Sequence, residues 1–319
     1  MDLSVVIPFY NEAQNIPIFF DELYRALEGT GLTWEILAVD DGSTDATFSL
    51  LKGEALQRNR VKAVQLRKNF GQTAALSAGF DLAEGEIIIT MDGDLQNDPA
   101  DIPALVARIR DGYDIASGWR EKRQDPFLSR RLPSIIANKM ISWVTGVNLH
   151  DYGCTLKAFK KEVAKNIRLY GELHRFIPAI ASWMGVTIAE VAVNHRSRKF
   201  GRSKYGISRT IRVLLDLITV KFLLTYSTRP IHVFGLWGIL SGLAGFGLAG
   251  YLTIQRLFFG IPLANRPILL LAILLIFIGI QFISMGLLGE LQVRTYHESQ
   301  GKPIYYLKEI FERENKETS

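Results

Sequence analysis

Through residue 91 the chain alternates two hydrophobic rhythms. Short β-rich runs cover residues 3–7, 34–39, 61–66 and 86–91. The intervening stretches carry apolar residues at helical spacing: Ile16, Phe19, Phe20, Leu23 and Leu27, then Phe48, Leu51 and Leu56, then a small-residue helix over Gln72–Leu82. Strands alternating with helices predict an α/β fold around a mainly parallel sheet covered on both faces. Ligands of such sheets sit at the carboxyl ends of the strands. The polar clusters fall there: Tyr10-Asn11-Glu12, Asp40-Asp41 and Asp92-Gly93-Asp94.

The rhythm changes in the last third. Residues 231–254 and 267–289 are two uncharged apolar runs, each long enough as a helix to cross a hydrocarbon core of roughly 30 Å. The alternative is a buried core hairpin. Residues 207–226 put Ile211, Leu214, Leu215, Ile218, Phe222 and Leu223 at helical spacing among Arg209, Arg212, Asp216 and Lys221. That pattern fits an amphipathic helix in a membrane interface, or a surface helix packed on the domain. The predicted organisation is a catalytic domain over 1–205, a juxtamembrane helix over 206–228, a transmembrane hairpin over 229–293 and a cytoplasmic tail over 294–319. Basic residues flank the outer ends of the hairpin, which favours both termini in the cytoplasm.

The whole chain, 319 residues with a formal net charge of +5, is long enough for a sizeable core. The positive balance suits phosphates or a lipid surface and does not choose between them. Cys154 is the single cysteine, so no intrachain disulfide exists and a reducing compartment is compatible. Met1-Asp2-Leu3-Ser4 lacks the pattern of a signal peptide. The expected location is a bacterial inner membrane with the catalytic domain in the cytoplasm.

Two carboxylates one residue apart, as in Asp92-Gly93-Asp94, can share a hard divalent cation and leave positions for phosphate oxygens. The glycine between them lets backbone approach a ligand. An acidic turn is the plain alternative. Asp40-Asp41-Gly42-Ser43-Thr44-Asp45 also ends a strand, and Ser43 or Thr44 is expected to cap the next helix. The five histidines, His150, His174, His195, His232 and His297, show no paired metal-ligand spacing and are read as non-ligands. No Walker-type loop and no Ser or Cys nucleophile motif is present.

In order, the chain carries Val5-Val6-Ile7-Pro8-Phe9-Tyr10-Asn11-Glu12, Asp40-Asp41-Gly42-Ser43, Arg67-Lys68-Asn69-Phe70-Gly71-Gln72 and Met91-Asp92-Gly93-Asp94-Leu95-Gln96. This set resembles the family-2 glycosyltransferases of GT-A fold. Within them it is similar to the polyprenyl-phosphate glycosyltransferases, relatives of dolichol-phosphate mannose synthase. The Asn69–Gln72 element and the two apolar runs resemble the bacterial branch that makes undecaprenyl-phosphate glucose.

The resemblance implies an inverting transfer of a hexose from a nucleotide-sugar, UDP-glucose first, to a polyprenyl phosphate. GDP-mannose, UDP-N-acetylhexosamine and a UDP-modified arabinose stay open as donors. It implies that Pro8, Tyr10, Glu12 and Asp41 hold the nucleoside. Asp92 and Asp94 would meet Mg²⁺ or Mn²⁺ and the diphosphate, with Asp94 the direct ligand, and Gln96 would face the sugar. Arg120 and Arg131 match acceptor-phosphate positions, and Arg130 could exchange with Arg131. The run from His195 to Tyr205 resembles a basic loop over the diphosphate, with Arg198 and Lys204 on the leaving charge; a solvated basic linker is its alternative. Asp151 matches the candidate base. An acceptor phosphate is already largely dianionic at neutral pH, so Asp151 could instead orient the acceptor or form a structural turn.

A homo-oligomer is expected, a tetramer first, because Ser241, Gly245 and Ala249, with Gly238 and Gly242, form small-residue stripes. The stripes could equally pack one span on the other within a chain. No nucleic-acid partner is expected. A processive synthase would carry a Gln-x-x-Arg-Trp element, which is lacking. A nucleotide-sugar sensor without turnover is the rival from another class.

Overall fold

The computed structural model describes residues 1–121, 138–139, 141–143, 145–167, 169, 173–182, 184–197 and 304–313, with scattered positions between 218 and 295. The chain divides into two units: residues 1–217 with 303–319, and residues 218–302.

The first unit is built on β1 (Leu3–Phe9), β2 (Trp34–Asp40), β3 (Val61–Leu66) and β4 (Ile87–Thr90). Helices α1 (Ile16–Glu28), α2 (Thr47–Gln57) and α3 (Gln72–Leu82) connect them, and α4 (Ile102–Arg110) follows β4. In α1 the five positions read as apolar at helical spacing, Ile16, Phe19, Phe20, Leu23 and Leu27, are all buried. Each removes an aliphatic or aromatic side chain from water, worth about 1.5–3 kcal/mol. In α2 the buried face is Thr47, Leu51 and Ala55, and Leu56 points outward at 55% exposure, against the expectation. The helix register is rotated because Ala55, not Leu56, meets the core.

The sheet continues through β5 (Ile115–Trp119), β6 (Lys157–Lys160), β7 (Ile188–Ala192) and β8 (Leu307–Glu312). Among the described residues it has eight strands in the order β7-β5-β6-β4-β1-β2-β3-β8. The pairs β1/β2, β1/β4, β2/β3 and β5/β7 are parallel. The pairs β4/β6, β5/β6 and β3/β8 are antiparallel. The mainly parallel sheet expected from the strand–helix alternation is therefore a mixed sheet. The added strands are short and lack the apolar runs of β1–β4.

The second difference lies at the C-terminus. Residues 294–319 were expected as a tail, yet 307–312 form the edge strand β8 on β3, with Ala63 opposite Phe311 and Gln65 opposite Glu309.

Strand order places the site. The chain winds outward from β1 through β2 to β3, then crosses back to β4 on the other side of β1. A crevice opens at such a reversal. The antiparallel strands bring more loops to the same edge. Thr90 and Ser117 both face Lys157, so the end of β5 and the start of β6 lie beside the end of β4.

Among the described residues no helix is long and apolar enough to cross a membrane. The expected spans 231–254 and 267–289, and most of the expected interface helix, fall on residues largely outside those described.

Candidate active site

The first wall is the loop after β1 laced to the loop after β2. The Asn11 amide donates to Ser43 Oγ at 2.9 Å, and Asn11 Oδ1 accepts from the Thr44 amide at 2.9 Å. The Glu12 amide donates to Thr47 Oγ1 at 2.9 Å, and its carboxylate accepts from Asn15 Nδ2. Pro8 sits inside β1, and Tyr10 and Glu12 just past its carboxyl end. Ser43 and Thr44 therefore serve this lacing and do not cap α2. Asp45 Oδ1 accepts from the Thr47 amide at 3.0 Å just ahead of the helix, whose N-cap position, Ala46, offers no side-chain cap bond.

Asp40 and Asp41 behave differently from the simple pair read in the sequence. Asp40 is fully buried and accepts from Gln65 Nε2 at 3.2 Å and from the Ser43 amide. Asp41 accepts from two consecutive amides, Phe70 at 2.8 Å and Gly71 at 2.9 Å. Burial outweighs those amides and pushes its carboxyl up to about 6. The turn that supplies them packs backbone to backbone: a Cβ on Gly42, at φ +67°, would lie 2.4 Å from the Lys68 carbonyl carbon. Gln72, at the end of the turn, donates through Nε2 to Asp92 Oδ1 at 2.7 Å.

Asp92 and Asp94 follow β4 at the reversal of strand order. Gly93 has a packing reason beyond access for a ligand, because a Cβ there would lie 2.2 Å from the Phe9 ring. Burial, and next the negative charge of Asp94, push the Asp92 carboxyl up to about 7, while Thr155, Arg120 and Lys157 pull it down. Asp94 is buried and accepts from the Gln96 amide at 3.1 Å. Two crowded carboxylates held partly out of water are a donor set that a divalent cation relieves. Among the described residues no group of three or more His, Cys, Asp or Glu gathers for a metal. A cation here would complete its shell with phosphate oxygens and water.

The opposite wall comes from β5 and β6. Arg120 Nε donates to Asp151 Oδ2 at 2.7 Å and one Nη to Oδ1 at 2.9 Å. The two residues assigned to separate tasks, acceptor phosphate and candidate base, thus form one bidentate unit. Lys157, which the sequence reading passed over, lies fully inside. Its Nζ donates to the carbonyls of Cys154 and Tyr152, and burial lowers its pKa. Its charge is felt at Asp92, and Asp151 and Arg120 are among its own neighbours.

The segment after β7 closes one end. His195 bridges Asn97, the Arg196 amide donates to the Gln96 carbonyl at 2.9 Å, and Gln96 Nε2 reaches back to the Arg196 carbonyl at 3.5 Å. Gln96 is therefore engaged with this segment. His195 arrives three positions from Asp94 through a pairing that no local spacing reveals. Arg196 is held by Glu22 and Asp98, so the first arginine of the basic run anchors the fold. Arg131, Arg130, Arg198 and Lys204 lie outside the described residues.

A mixed sheet carrying acidic turns at the strand reversal defines an α/β transferase of GT-A type. The chain belongs to glycosyl transferase family 2, whose profile matches residues 4–168. A relative in Rhizobium johnstonii, dodecaprenyl-phosphate galacturonate synthase, is 42% identical over 319 residues, covering 98% of this chain and 94% of its own. Glucosyl-3-phosphoglycerate synthase from Mycobacterium tuberculosis, in complex with Mn²⁺, UDP and glucosyl-3-phosphoglycerate, matches with a TM-score of 0.55 at 18% identity. The match covers 70% of this chain and 79% of that one. The same enzyme with Mn²⁺ and UDP-glucose also gives 0.55 at 18% identity, over 70% of this chain and 78% of the other. At that identity the likeness establishes the fold alone.

Proposed function

We propose that this glycosyltransferase moves a sugar from a nucleotide-sugar onto a polyprenyl phosphate at a membrane surface. The observation that carries the reading is the near full-length similarity to an enzyme named for a dodecaprenyl-phosphate product. The same name favours galacturonic acid as the sugar, ahead of the glucose suggested by the motif resemblance. A uridine diphosphate donor is carried over from that resemblance.

The chemistry follows from the two walls. Pro8, Tyr10, Glu12 and Asp41 take the nucleoside, and Asp92 and Asp94 face the diphosphate; Gln96 would exchange its long contact with the Arg196 carbonyl for the sugar. Asp92 and Asp94 would hold Mg²⁺ or Mn²⁺, which when bound neutralises charge on the leaving diphosphate. Arg198 and Lys204 add positive charge there. Arg120, with Arg131, receives the incoming phosphate on the other side. Attack by one face and departure from the other inverts the anomeric centre. A phosphate monoester is largely dianionic near pH 7 and needs placement more than deprotonation. Asp151, gripped at both oxygens by Arg120, fits the task of orienting that guanidinium better than that of a base.

The membrane part of the proposal keeps a hairpin over 231–254 and 267–289, cytoplasmic ends in a bacterial inner membrane, and a homo-oligomer, a tetramer first. Strand β8 supports the hairpin. It lies in the same sheet as β1–β4, so the chain between them crosses any membrane an even number of times. A donor panel assayed on undecaprenyl phosphate tests the function: UDP-galacturonate, UDP-glucose, GDP-mannose, UDP-N-acetylglucosamine and a UDP-modified arabinose. UDP-galacturonate should give the fastest lipid-linked product. No lipid product from any donor would overturn the reading and leave the sensor alternative.

A further inference from the structure

Residues 304–313 return to the first unit at the edge of β3, and they do more there than lengthen the sheet. The Arg67 amide donates to the Tyr306 carbonyl at 2.9 Å, and Arg67 Nε to the Leu307 carbonyl at 3.3 Å, a contact across 240 positions of chain. Tyr305 is buried among Val39, Val64, Leu66, Ala74, Ala75 and Ala78, and its hydroxyl donates to Asp81 Oδ2 on α3 at 2.8 Å. The Tyr306 ring lies 6.2 Å from the Phe70 ring, tilted by 45°. Phe70 belongs to the turn whose amides hold Asp41, whose Gln72 holds Asp92, and whose backbone abuts Gly42.

One short turn therefore touches both acidic motifs on its inner side and the C-terminal segment on its outer side. Arg67, Lys68 and Asn69 are exposed, so beyond its inner contacts with Asp41, Gly42 and Asp92 the turn leans on β8 and its leading tyrosines. A turn with mostly solvated residues keeps one conformation only when contacts of this kind restrict it.

We infer that Tyr306, assisted by Tyr305, is a positioning residue for the donor site. By packing on Phe70 it holds the Lys68–Gln72 turn in the geometry that presents Asp41 and Asp92 to the nucleotide-sugar. The inference rests on the assignment of Asp41 to the nucleoside. It makes the chain beyond the second apolar run a working part of nucleotide recognition.

The test uses the full-length protein in mild detergent, with steady-state kinetics in both substrates, calorimetric binding of the free nucleotide and thermal melting. Tyr306→Ala should raise the donor KM and the nucleotide Kd about fivefold, the scale of one aromatic contact. The acceptor KM and kcat should stay within about twofold on that same scale. The melting temperature should move little, because Tyr306 is 58% exposed. Tyr306→Phe should restore wild-type values, since the ring makes the contact. Tyr306→Leu, expected to raise the donor KM in the same direction, serves if the alanine variant does not fold. A donor KM unchanged in both variants, or donor and acceptor KM rising together, would overturn the inference. Asp41→Ala separates the two assignments. If it leaves nucleotide binding intact, the donor-site reading falls; if it weakens binding while Tyr306→Ala does not, only the positioning role falls.

Discussion

Arg120 grips both carboxylate oxygens of Asp151, at 2.7 and 2.9 Å, with the Asp151 side chain 3% exposed and that of Arg120 14% exposed. Such a fork fixes two planar groups in one orientation, and a lysine cannot reproduce it. The pair therefore fixes the orientation of the guanidinium proposed to meet the incoming phosphate.

The first prediction follows from that coupling. Arg120→Ala should weaken use of polyprenyl phosphate strongly and leave nucleotide binding nearly unchanged, with Arg120→Lys a partial rescue. Asp151→Asn should lower stability by about 1–3 kcal/mol, because the Arg120 guanidinium exchanges a charged acceptor with two oxygens for a neutral amide with one. The double variant should cost less than the sum of the singles, since they share one interaction. Acceptor kinetics and denaturant melts of the three variants are the measurement. Additive losses would mean that the two residues act separately.

The second concerns Asp94, whose carboxylate stands at the strand reversal. Asp94→Asn should cut turnover by roughly 10²–10³-fold in Mg²⁺ or Mn²⁺ while the circular dichroism spectrum stays unchanged. Near-normal turnover of that variant would falsify a metal and diphosphate role for the motif.

The third is a pH dependence. The folded protein holds Asp92 near pKa 7, above its ordinary value of 3.8. The folded state therefore keeps a proton that the unfolded chain releases. The contribution of Asp92 to metal-free stability falls as pH rises from about 4 to about 7 and is level beyond. Mn²⁺ affinity should run the other way, tightening up to about pH 7, because the cation needs the carboxylate. Asp41, whose carboxyl burial pushes up to about 6, adds a slope of the same sign over part of this range, so the informative quantity is wild type minus Asp92→Asn. Parallel melting curves of the two proteins from pH 5 to 8 would contradict the assignment.

The fourth turns on Lys157. Lys157→Met leaves the carbonyls of Tyr152 and Cys154 without their donor, at a cost of about 1–3 kcal/mol. It also removes a positive charge that holds the Asp92 carboxyl down. The pH at which Mn²⁺ binding is half developed should move upward in this variant. An unchanged pH profile beside the expected loss of stability would confine Lys157 to holding the loop.

The fifth is topological. Single cysteines in the 255–266 linker should react with an impermeant maleimide added outside intact cells, and cysteines in β8 should not. The native Cys154 is fully buried, with its thiol pushed up by burial, so it contributes little background. Labelling of β8 from outside would reverse the proposed orientation.

Much of this protein is written locally. The helix over 16–28 and the strands β1–β4 are legible because their apolar residues repeat with the period of the element that buries them. The acidic turns are legible because a polar cluster interrupts an apolar run where a parallel strand must end. What they become was decided at a distance. Strand β8 hides because Leu307, Glu309 and Phe311 are only half-covered while Ile310 is exposed, so hydrophobicity follows no two-residue period; pairing with β3 makes it a strand. Arg120 and Asp151 read as two separate residues 31 positions apart until β5 and β6 bring their loops together. His195 meets Asn97, and Lys157 goes inside, for the same reason. Periodicity reports what one segment does with its own faces. The partner of a charge depends on which strand ends share an edge, and only the folded sheet decides that.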